Sequence, residues 1–263
     1  MIFSAFRLPA SAFPRVHTVP MPRFWRPLLL AGATLGLFMA VHRSQGAGAP
    51  PLLPPDGPQT VASRLAQFGP AARERWQPFF ERAGLSYPPS QILLVGFKDE
   101  KRLEIYARGD GVSAWRFLRA MPILAASGGI GPKRKMGDHQ VPEGFYTIQS
   151  LNPNSRFHLS LRVSYPSEED KLQAERDGRD ESTLGGDIMI HGSDKSVGCL
   201  AMGDEAAEDL FVLAAQTKDA PIRVWLCPLD LRVRDVPDDP NRPAWVSARY
   251  AKLKEELEAL PPS

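Results

Sequence analysis

The chain has 263 residues, of which 43% are hydrophobic, and a formal net charge of +2. This length and composition are typical of one or two globular domains. The charge is unevenly distributed, because five of the 32 basic residues but none of the 30 acidic residues lie in residues 1–49. The rest of the chain has 27 basic against 30 acidic residues, and this mildly acidic balance excludes nucleic acid as an expected partner.

The first 49 residues have the layout of a secretory signal. Arg23 and Arg26 precede an apolar run over 28–41, which is followed by the small residues 46–49. A charged region, a short apolar segment and a small-residue zone are the parts of a signal peptide. The apolar run is short for a helix that crosses a bilayer. We expect an exported protein of the periplasm or cell envelope that meets the membrane only through this segment, either as a cleaved signal or as an anchor.

Two segments follow before the first predicted strand. Residues 50–58 are rich in proline and predict an extended linker. Residues 59–88 predict a helical arm in two pieces, with a break at Gly69-Pro70 and an end at Gly84. The second piece has apolar side chains at helical spacing, namely Trp76, Phe79, Phe80 and Ala83. We expect this stripe to pack the arm against the rest of the protein, and a peptide groove is the alternative.

Residues 89–229 predict a mainly β domain. Apolar runs and alternating patterns indicate strands over 92–97, 102–107, 112–118, 145–151, 156–163 and 221–227. Within 156–163, alternation predicts one face made of Phe157, Leu159, Leu161 and Val163 and an opposite face made of His158, Ser160 and Arg162. The basic run 133–135 is either a solvated loop or a patch that attracts carboxylates.

Helices are predicted between and after these strands. One covers 167–177, and another covers 204–215 with Asp204 as its N-cap. Residues 230–263 form a charged tail that is expected to end in a helix over 244–260. This last helix is expected to dock on the domain, and partner binding is the alternative.

Residues 188–202 contain the chemistry of the chain. His191 ends a short predicted strand, and Cys199 follows it by eight residues, after a turn from Gly192 to Gly198. A thiol beside an imidazole is an arrangement for nucleophilic catalysis, since the thiolate is the nucleophile and the imidazole carries its proton. The N–H groups of Gly198 and Cys199 are candidate oxyanion donors, and Ser196 is expected to position the loop. In the alternative interpretation, His191 caps a strand and Cys199 is a small buried residue.

Two motifs carry a resemblance to a known family. One is His191-Gly192 followed by Ser196-Val197-Gly198-Cys199, and the other is the Gly-Asp-x-x-x-Pro-Glu-Gly-x-Tyr segment over 137–146. Together they resemble the L,D-transpeptidase catalytic (YkuD-like) family over roughly residues 90–228, and most of all its YafK-like branch. The resemblance implies a β-sandwich, catalysis by Cys199 and His191 through a thioester, peptidoglycan stem peptides as substrate, and no cofactor or metal.

The motif departs from the family pattern at two positions. Many members have a second His where this chain has Val197, and Arg or Asn where it has Ala201. The residue at the second position is credited with holding substrate, so cross-linking activity does not follow. The branch also includes amidases that release wall-linked protein, and this reaction is the alternative. We name Arg162 as the candidate replacement for the missing cation, with His158 and His139 as further candidates to line the cleft.

These residues admit three other interpretations. A non-catalytic wall-binding module would be favoured by an oxidised or buried Cys199. A Cys199–Cys227 disulfide would remove the nucleophile, so we expect Cys227 to be a packed free thiol. A zinc site formed by His191, Cys199 and His139 or His158 is disfavoured, because zinc needs a tight ligand set of defined geometry.

Overall fold

The structure, a computed structural model, describes residues 57–219 and 221–263. The predicted signal segment 1–49 and the predicted linker as far as residue 56 lie outside the described residues. Four helices lie within this part of the chain: α1 (Val61–Ala83), α2 (Glu168–Arg176), α3 (Asp204–Gln216) and α4 (Ala244–Glu258). The strands are β1 (Gln91–Phe97), β2 (Arg102–Arg108), β3 (Arg116–Pro122), β4 (Ala125–Ala126), β5 (Gly144–Ser155), β6 (His158–Val163), β7 (Met189–His191), β8 (Leu200–Ala201) and β9 (Arg223–Cys227).

The strands form one large mixed sheet in the order β3-β2-β1-β9-β5-β6-β7-β8-β4. Strand β5 belongs to both halves of this sheet, because its first residues pair with β9 and its later residues pair with β6. The two halves face each other: a Cβ on Gly96 of β1 would lie 3.4 Å from Leu200 Cδ2 of β8. Apolar side chains from both halves share one buried core. The predicted mainly β sandwich is therefore confirmed.

Helix α1 is continuous, so the predicted break at Gly69-Pro70 is wrong. Pro70 and Pro78 both lie inside the helix. Proline inside a helix costs about 3 kcal/mol, whereas each large apolar side chain removed from water contributes roughly 1.5–3 kcal/mol. The face with Trp76 and Phe80 is buried, and Trp76 Nε1 donates to the backbone oxygen of Asp209 in α3 at 2.9 Å. Tertiary packing offsets the proline penalty, and the predicted packing of the aromatic stripe is confirmed.

Several predicted boundaries differ from those in the structure, and two of them are at the starts of β3 and α3. The third strand begins at Arg116 rather than at residue 112, because residues 109–115 form a turn and loop before β3 pairs with β2. Helix α3 has Gly203, not Asp204, as its N-cap. Asp204 Oδ1 instead accepts the N–H of Ser193 at 2.7 Å, so this carboxylate links α3 to the end of β7.

Helix α4 docks on the outer face of the sheet, as predicted for the tail. Its buried side chains Val246, Tyr250, Leu253 and Leu257 join Leu93, Val95 and Trp225 in a second apolar cluster. The partner-binding alternative is therefore not needed to account for its apolar face. In the part of the chain that is described, none of the helices is both long and apolar enough to cross a membrane.

Candidate active site

Strand pairing brings His191 and Cys199 to the same face of the sheet. Strands β7 and β8 are parallel, with Ile190 opposite Leu200 and His191 opposite Ala201. Side chains that are paired across strands, or two apart along a strand, point to the same face. Cys199 immediately precedes β8 and so shares the face of Ala201 and His191, while Ile190 and Leu200 point into the core.

The His191 side chain is held in one orientation. It is 2% exposed, and its Nδ1 lies 2.5 Å from the backbone oxygen of Gly192. Because a carbonyl oxygen only accepts, Nδ1 carries the proton and Nε2 keeps a free lone pair. Burial lowers the pKa of His191, although the hydrogen bond to Gly192 acts in the opposite direction. The imidazole is thus prepared to accept a proton at Nε2.

Phe157 covers the imidazole of His191, and the alternation in the sequence did not predict this contact. The rings of Phe157 and His191 are stacked with centroids 4.8 Å apart and an interplanar angle of 28°. Alternation predicted that Phe157 faces inward with Leu159, but Phe157 is 44% exposed. The reason is the backbone of His158, whose φ of 69° interrupts the alternation at the start of β6. A positive φ at a histidine leaves no periodic signal in the sequence.

Gly192 lies where no side chain fits. A Cβ at this position would lie 2.5 Å from Asp204 Oδ1, 2.8 Å from the backbone oxygen of Phe157 and 2.9 Å from His158 Cβ. The second of these neighbours is backbone, so a side chain at this position requires the β6 turn to move. The glycine of the His-Gly motif therefore allows β6, β7 and α3 to converge beside the imidazole.

Alanine in place of Gly192 is expected to destabilise the fold by about 2 kcal/mol, the usual cost of overpacking a filled site. We also expect kcat to fall by roughly tenfold or more, because small displacements of positioned groups are costly. Gly186→Ala is the matched control, since a Cβ there would meet only the Tyr165 oxygen at 3.9 Å. Thermal melting and kcat of both variants check this; equal effects would contradict the steric argument.

The Cys199 thiol lies against the backbone of the segment that leads into β7. Its Sγ is 3.5 Å from the backbone oxygen of Asp187. Burial raises the pKa of Cys199, a hydrogen bond from the Met189 backbone lowers it, and the charges of Asp187 and Lys133 act in opposite directions. The raised pKa of the thiol and the lowered pKa of the imidazole both favour the neutral form of these groups at pH 7.

Both candidate oxyanion donors are occupied by serine hydroxyls. The N–H of Gly198 donates to Ser127 Oγ, and the N–H of Cys199 donates to Ser196 Oγ at 2.9 Å. Ser196 Oγ also donates to the Cys199 backbone oxygen at 2.5 Å, so Ser196 fixes the loop that leads into Cys199. Ser127 was not among the predicted residues, because it lies 71 residues before Gly198.

A buried polar cluster supports the glycine-rich loop that contains Ser127. The Glu143 side chain is fully buried and accepts from Lys98 Nζ at 2.9 Å, from Gly131 N–H at 2.9 Å and from the Tyr250 hydroxyl at 2.5 Å. Lys98 Nζ also donates to the backbone oxygens of Gly131 and Val141. Glu143 therefore ties the loop to β1 and to helix α4.

The weaker site candidates have three different surroundings. Arg162 pairs with Met189 in register and forms an ion pair with Asp187 at 2.9 Å, so it lies beside the residues that contact Cys199. His158 Nε2 lies 2.9 Å from Glu208 Oε1 of α3, which accounts for it as a packing residue. His139 is exposed in a loop, with a φ of 58°.

The two cysteines are separate free thiols. Cys227 is fully buried in the cluster beneath α4, and this agrees with the prediction of a packed free thiol. Within residues 57–219 and 221–263, no group of three or more His, Cys, Asp or Glu side chains is placed to hold a metal ion.

Comparison with known proteins gives one family. The model of the L,D-transpeptidase catalytic domain (YkuD) matches residues 91–224. The "Putative L,D-transpeptidase YafK" of Escherichia coli strain K12 is 32% identical over 124 residues, which are 46% of this chain and 46% of YafK. This chain thus spans about half the length of the curated relatives it matches. The protein from strain O157:H7 matches equally.

The solved structures that are similar to parts of the chain include two bacterial proteins. The helical cell shape determining protein Pgp2 from Campylobacter jejuni has 23% identity and a TM-score of 0.41, over 57% of this chain and 54% of its own. Bd1075 of Bdellovibrio bacteriovorus has 20% identity and a TM-score of 0.38, over 66% of this chain and 58% of its own.

Proposed function

The chain belongs to the L,D-transpeptidase catalytic domain family, and from this premise we propose that it is an exported cysteine transpeptidase acting on peptidoglycan stem peptides. The observation that carries the proposal is the parallel pairing of β7 with β8, which sets His191 opposite Ala201, two residues after Cys199. Export is supported by the arginines and the apolar run within residues 1–49.

The proposed first step is general-base attack. His191 Nε2 takes the proton of the Cys199 thiol as the sulfur attacks an amide carbonyl of the stem peptide, and a tetrahedral oxyanion forms. The imidazolium then protonates the leaving amine, the C–N bond breaks and a thioester remains on Cys199. The Nδ1–H of His191 stays hydrogen-bonded to the backbone oxygen of Gly192 throughout. This hydrogen bond and the Phe157 ring hold the imidazole in place.

The oxyanion is proposed to bind the N–H groups of Gly198 and Cys199. These groups now donate to Ser127 and Ser196, so the carbonyl oxygen replaces at least one serine hydroxyl when substrate binds. Exchange of one hydrogen bond for another costs little net free energy, because each is worth about 1 kcal/mol. A charged oxyanion is a stronger hydrogen-bond acceptor than a serine hydroxyl, so it displaces the hydroxyl from the N–H group.

The fate of the thioester defines two candidate reactions. Attack by an amine of a second stem peptide gives transpeptidation, whereas attack by water gives hydrolysis, and an amidase of this kind would release wall-linked protein. The amidase is favoured by Ala201, which is fully buried and offers no cation at the position after Leu200. Arg162 is the proposed substitute for that cation. Its ion pair with the exposed Asp187 would break, and Arg162 would bind a substrate carboxylate instead.

Incubation with purified peptidoglycan tests the proposal. The mature protein and its Cys199→Ala variant are compared, and the released fragments are resolved by mass spectrometry. New cross-links or exchanged terminal residues that need Cys199 establish the transpeptidase. Shortened or protein-free stem peptides that need Cys199 establish the amidase. Identical products from both proteins, with binding retained, reject the enzyme and leave a wall-binding domain.

The pH dependence follows from the environment of His191. Since burial lowers the pKa of His191 from its ordinary value of 6.5, and the unprotonated imidazole is the base, activity is full above the lowered pKa and lost as the pH falls through it. The acid limb of kcat/KM is therefore expected below pH 6.5. His158→Gln is the control and leaves the limb in place, because His158 contacts Glu208. An acid limb of kcat/KM near pH 8 would indicate that the Cys199 thiol must lose its proton before it reacts. That result would contradict general-base attack by a neutral imidazole on a neutral thiol.

A further inference from the structure

A basic cavity lies beside the loop that leads into Cys199, and the proposed reaction does not use it. It has a volume of about 450 Å³ and is lined by Pro132, Arg134, Lys135, Asp138, Gln140 and Arg179. Three of these six residues are cations and one is an anion. The cavity joins the loop of the Gly-Asp motif to Arg179, which follows α2.

The one acidic group in the cavity wall is already fully engaged. Asp138 Oδ1 accepts from Lys133 Nζ and from the Gln140 N–H, and its Oδ2 accepts from the N–H groups of Arg134 and Lys135. Burial opposes ionisation, but these hydrogen bonds hold the pKa of Asp138 below its ordinary value. Asp138 therefore organises the loop and does not neutralise its side chains.

The cations of the cavity lack an equal number of counter-charges. Arg134 and Arg179 share one carboxylate oxygen, Asp177 Oδ2, at 3.1 Å each. The Nε atoms of both arginines are buried and, among the described residues, have no hydrogen-bond partner. The Lys135 ammonium forms no ion pair with any described residue. The cavity thus keeps a positive excess that an anion of suitable shape would neutralise.

The cavity and the nucleophile share a wall at Gln140. The backbone oxygen of Gln140 lies 3.7 Å from where a Cβ of Gly198 would be, and Gln140 also lines the cavity. On the opposite side, Met136 N–H donates to the Thr183 backbone oxygen at 2.7 Å, so the loop that contains residues 133–136 packs on the segment that leads into β7. A peptide with its scissile carbonyl at Cys199 can therefore place a neighbouring group in the cavity.

We propose that Arg134, Lys135 and Arg179 form a carboxylate-binding subsite that selects acidic peptide donors beside Cys199. The planar guanidinium groups and the unpaired ammonium suit a carboxylate, which accepts several charge-assisted hydrogen bonds at once. The subsite rests on the proposed function for its substrate. It assigns to the donor a free carboxylate, close to the amide that Cys199 attacks.

The test uses a synthetic stem tetrapeptide with free carboxylates and its fully amidated counterpart. In Lys135→Gln, KM for the acidic peptide is expected to rise about fivefold, the effect of one solvent-exposed ion pair of about 1 kcal/mol. With Arg134→Gln added, a rise of roughly twentyfold is expected, with kcat within about twofold because ground state and transition state lose the same contact. KM for the amidated peptide stays within about twofold in every variant. Arg176→Gln, an exposed arginine at the end of α2, is the matched control.

Three outcomes decide between the possibilities. A preference for the acidic peptide that falls in the Lys135 and Arg134 variants but not in Arg176→Gln supports the subsite. Cys199-dependent turnover that is indifferent to amidation, or equally affected by Arg176→Gln, overturns it and leaves the proposed function intact. If no Cys199-dependent turnover occurs, binding of both peptides is measured by calorimetry. Binding that requires the peptide carboxylates and Lys135 supports the subsite even though the enzyme activity is rejected. Binding that depends on neither the carboxylates nor Lys135 overturns the subsite.

Discussion

Alanine in place of Cys199 is expected to reduce turnover of stem peptides by roughly 10⁵-fold or more, because removal of the nucleophile from a catalytic unit has effects of this size. No other described side chain on this face can form the thioester, since the remaining cysteine, Cys227, is buried beneath α4. The measurement is a single-turnover assay with mass spectrometry of the intact protein. It should detect the acyl adduct on the wild type and none on Cys199→Ala.

Two further variants separate chemistry from folding. His191→Asn is expected to lower kcat by roughly 10²- to 10⁴-fold, the usual range for a general base, while the thiol stays present. Cys227→Ala is the matched control, since it removes the other thiol at a cost near 1 kcal/mol of stability and is expected to keep activity. An acyl adduct that survives Cys199→Ala, or is lost in Cys227→Ala, would contradict the assignment of the nucleophile.

Glutamine in place of Glu143 is expected to cost 3–5 kcal/mol of the free energy of unfolding, as found when one partner of a buried ion pair is removed. Lys98 would remain buried without its counter-charge, and the bonds from Gly131 and Tyr250 would lose an ionised acceptor. Urea denaturation of the full chain measures this. The exposed pair Lys254–Asp235 is the control, and Asp235→Asn is expected to leave the free energy of unfolding nearly unchanged.

The pH dependence of this variant identifies the cause. Burial lowers the pKa of Lys98 from its ordinary value of 10.5, and Glu143 acts in the opposite direction. Without the carboxylate, the pKa of Lys98 falls further, so between the folded and unfolded pKa the unfolded chain binds more protons. Stability then rises with pH in that window. Loss of stability without this slope would indicate that packing, rather than an unpaired charge, is responsible.

The Glu143 cluster also connects stability with the proposed site. Glu143 binds the N–H of Gly131, in the loop that presents Ser127 to Gly198, and helix α4 reaches the same carboxylate through Tyr250. Helix α4 therefore supports, through Glu143, the loop that contains Ser127. A loosened loop would change the hydrogen bond to a candidate oxyanion donor, so we also expect Glu143→Gln to lower turnover although Glu143 is remote from the thiol.

Local sequence was enough to propose His191 and Cys199 as the reactive pair and to predict most of the strands. His191 and Cys199 were predicted because the His-Gly and Ser-x-Gly-Cys motifs are contiguous, and short-range turn chemistry determines how such segments fold. Alternation likewise identified Leu159, Leu161 and Val163 as core residues, since the side-chain period of a strand is a local property.

Tertiary structure alone decided what surrounds that pair. Ser127 reaches Gly198 across 71 residues and Tyr250 reaches Glu143 across 107, and such contacts depend on sheet order and helix docking, which leave no periodic trace in the sequence. The ring of Phe157 lies over His191 because one positive φ at His158 reverses the alternation. Sequence periodicity reports the average burial of a segment, whereas the partner of each side chain is decided by the packing of segments that are distant along the chain.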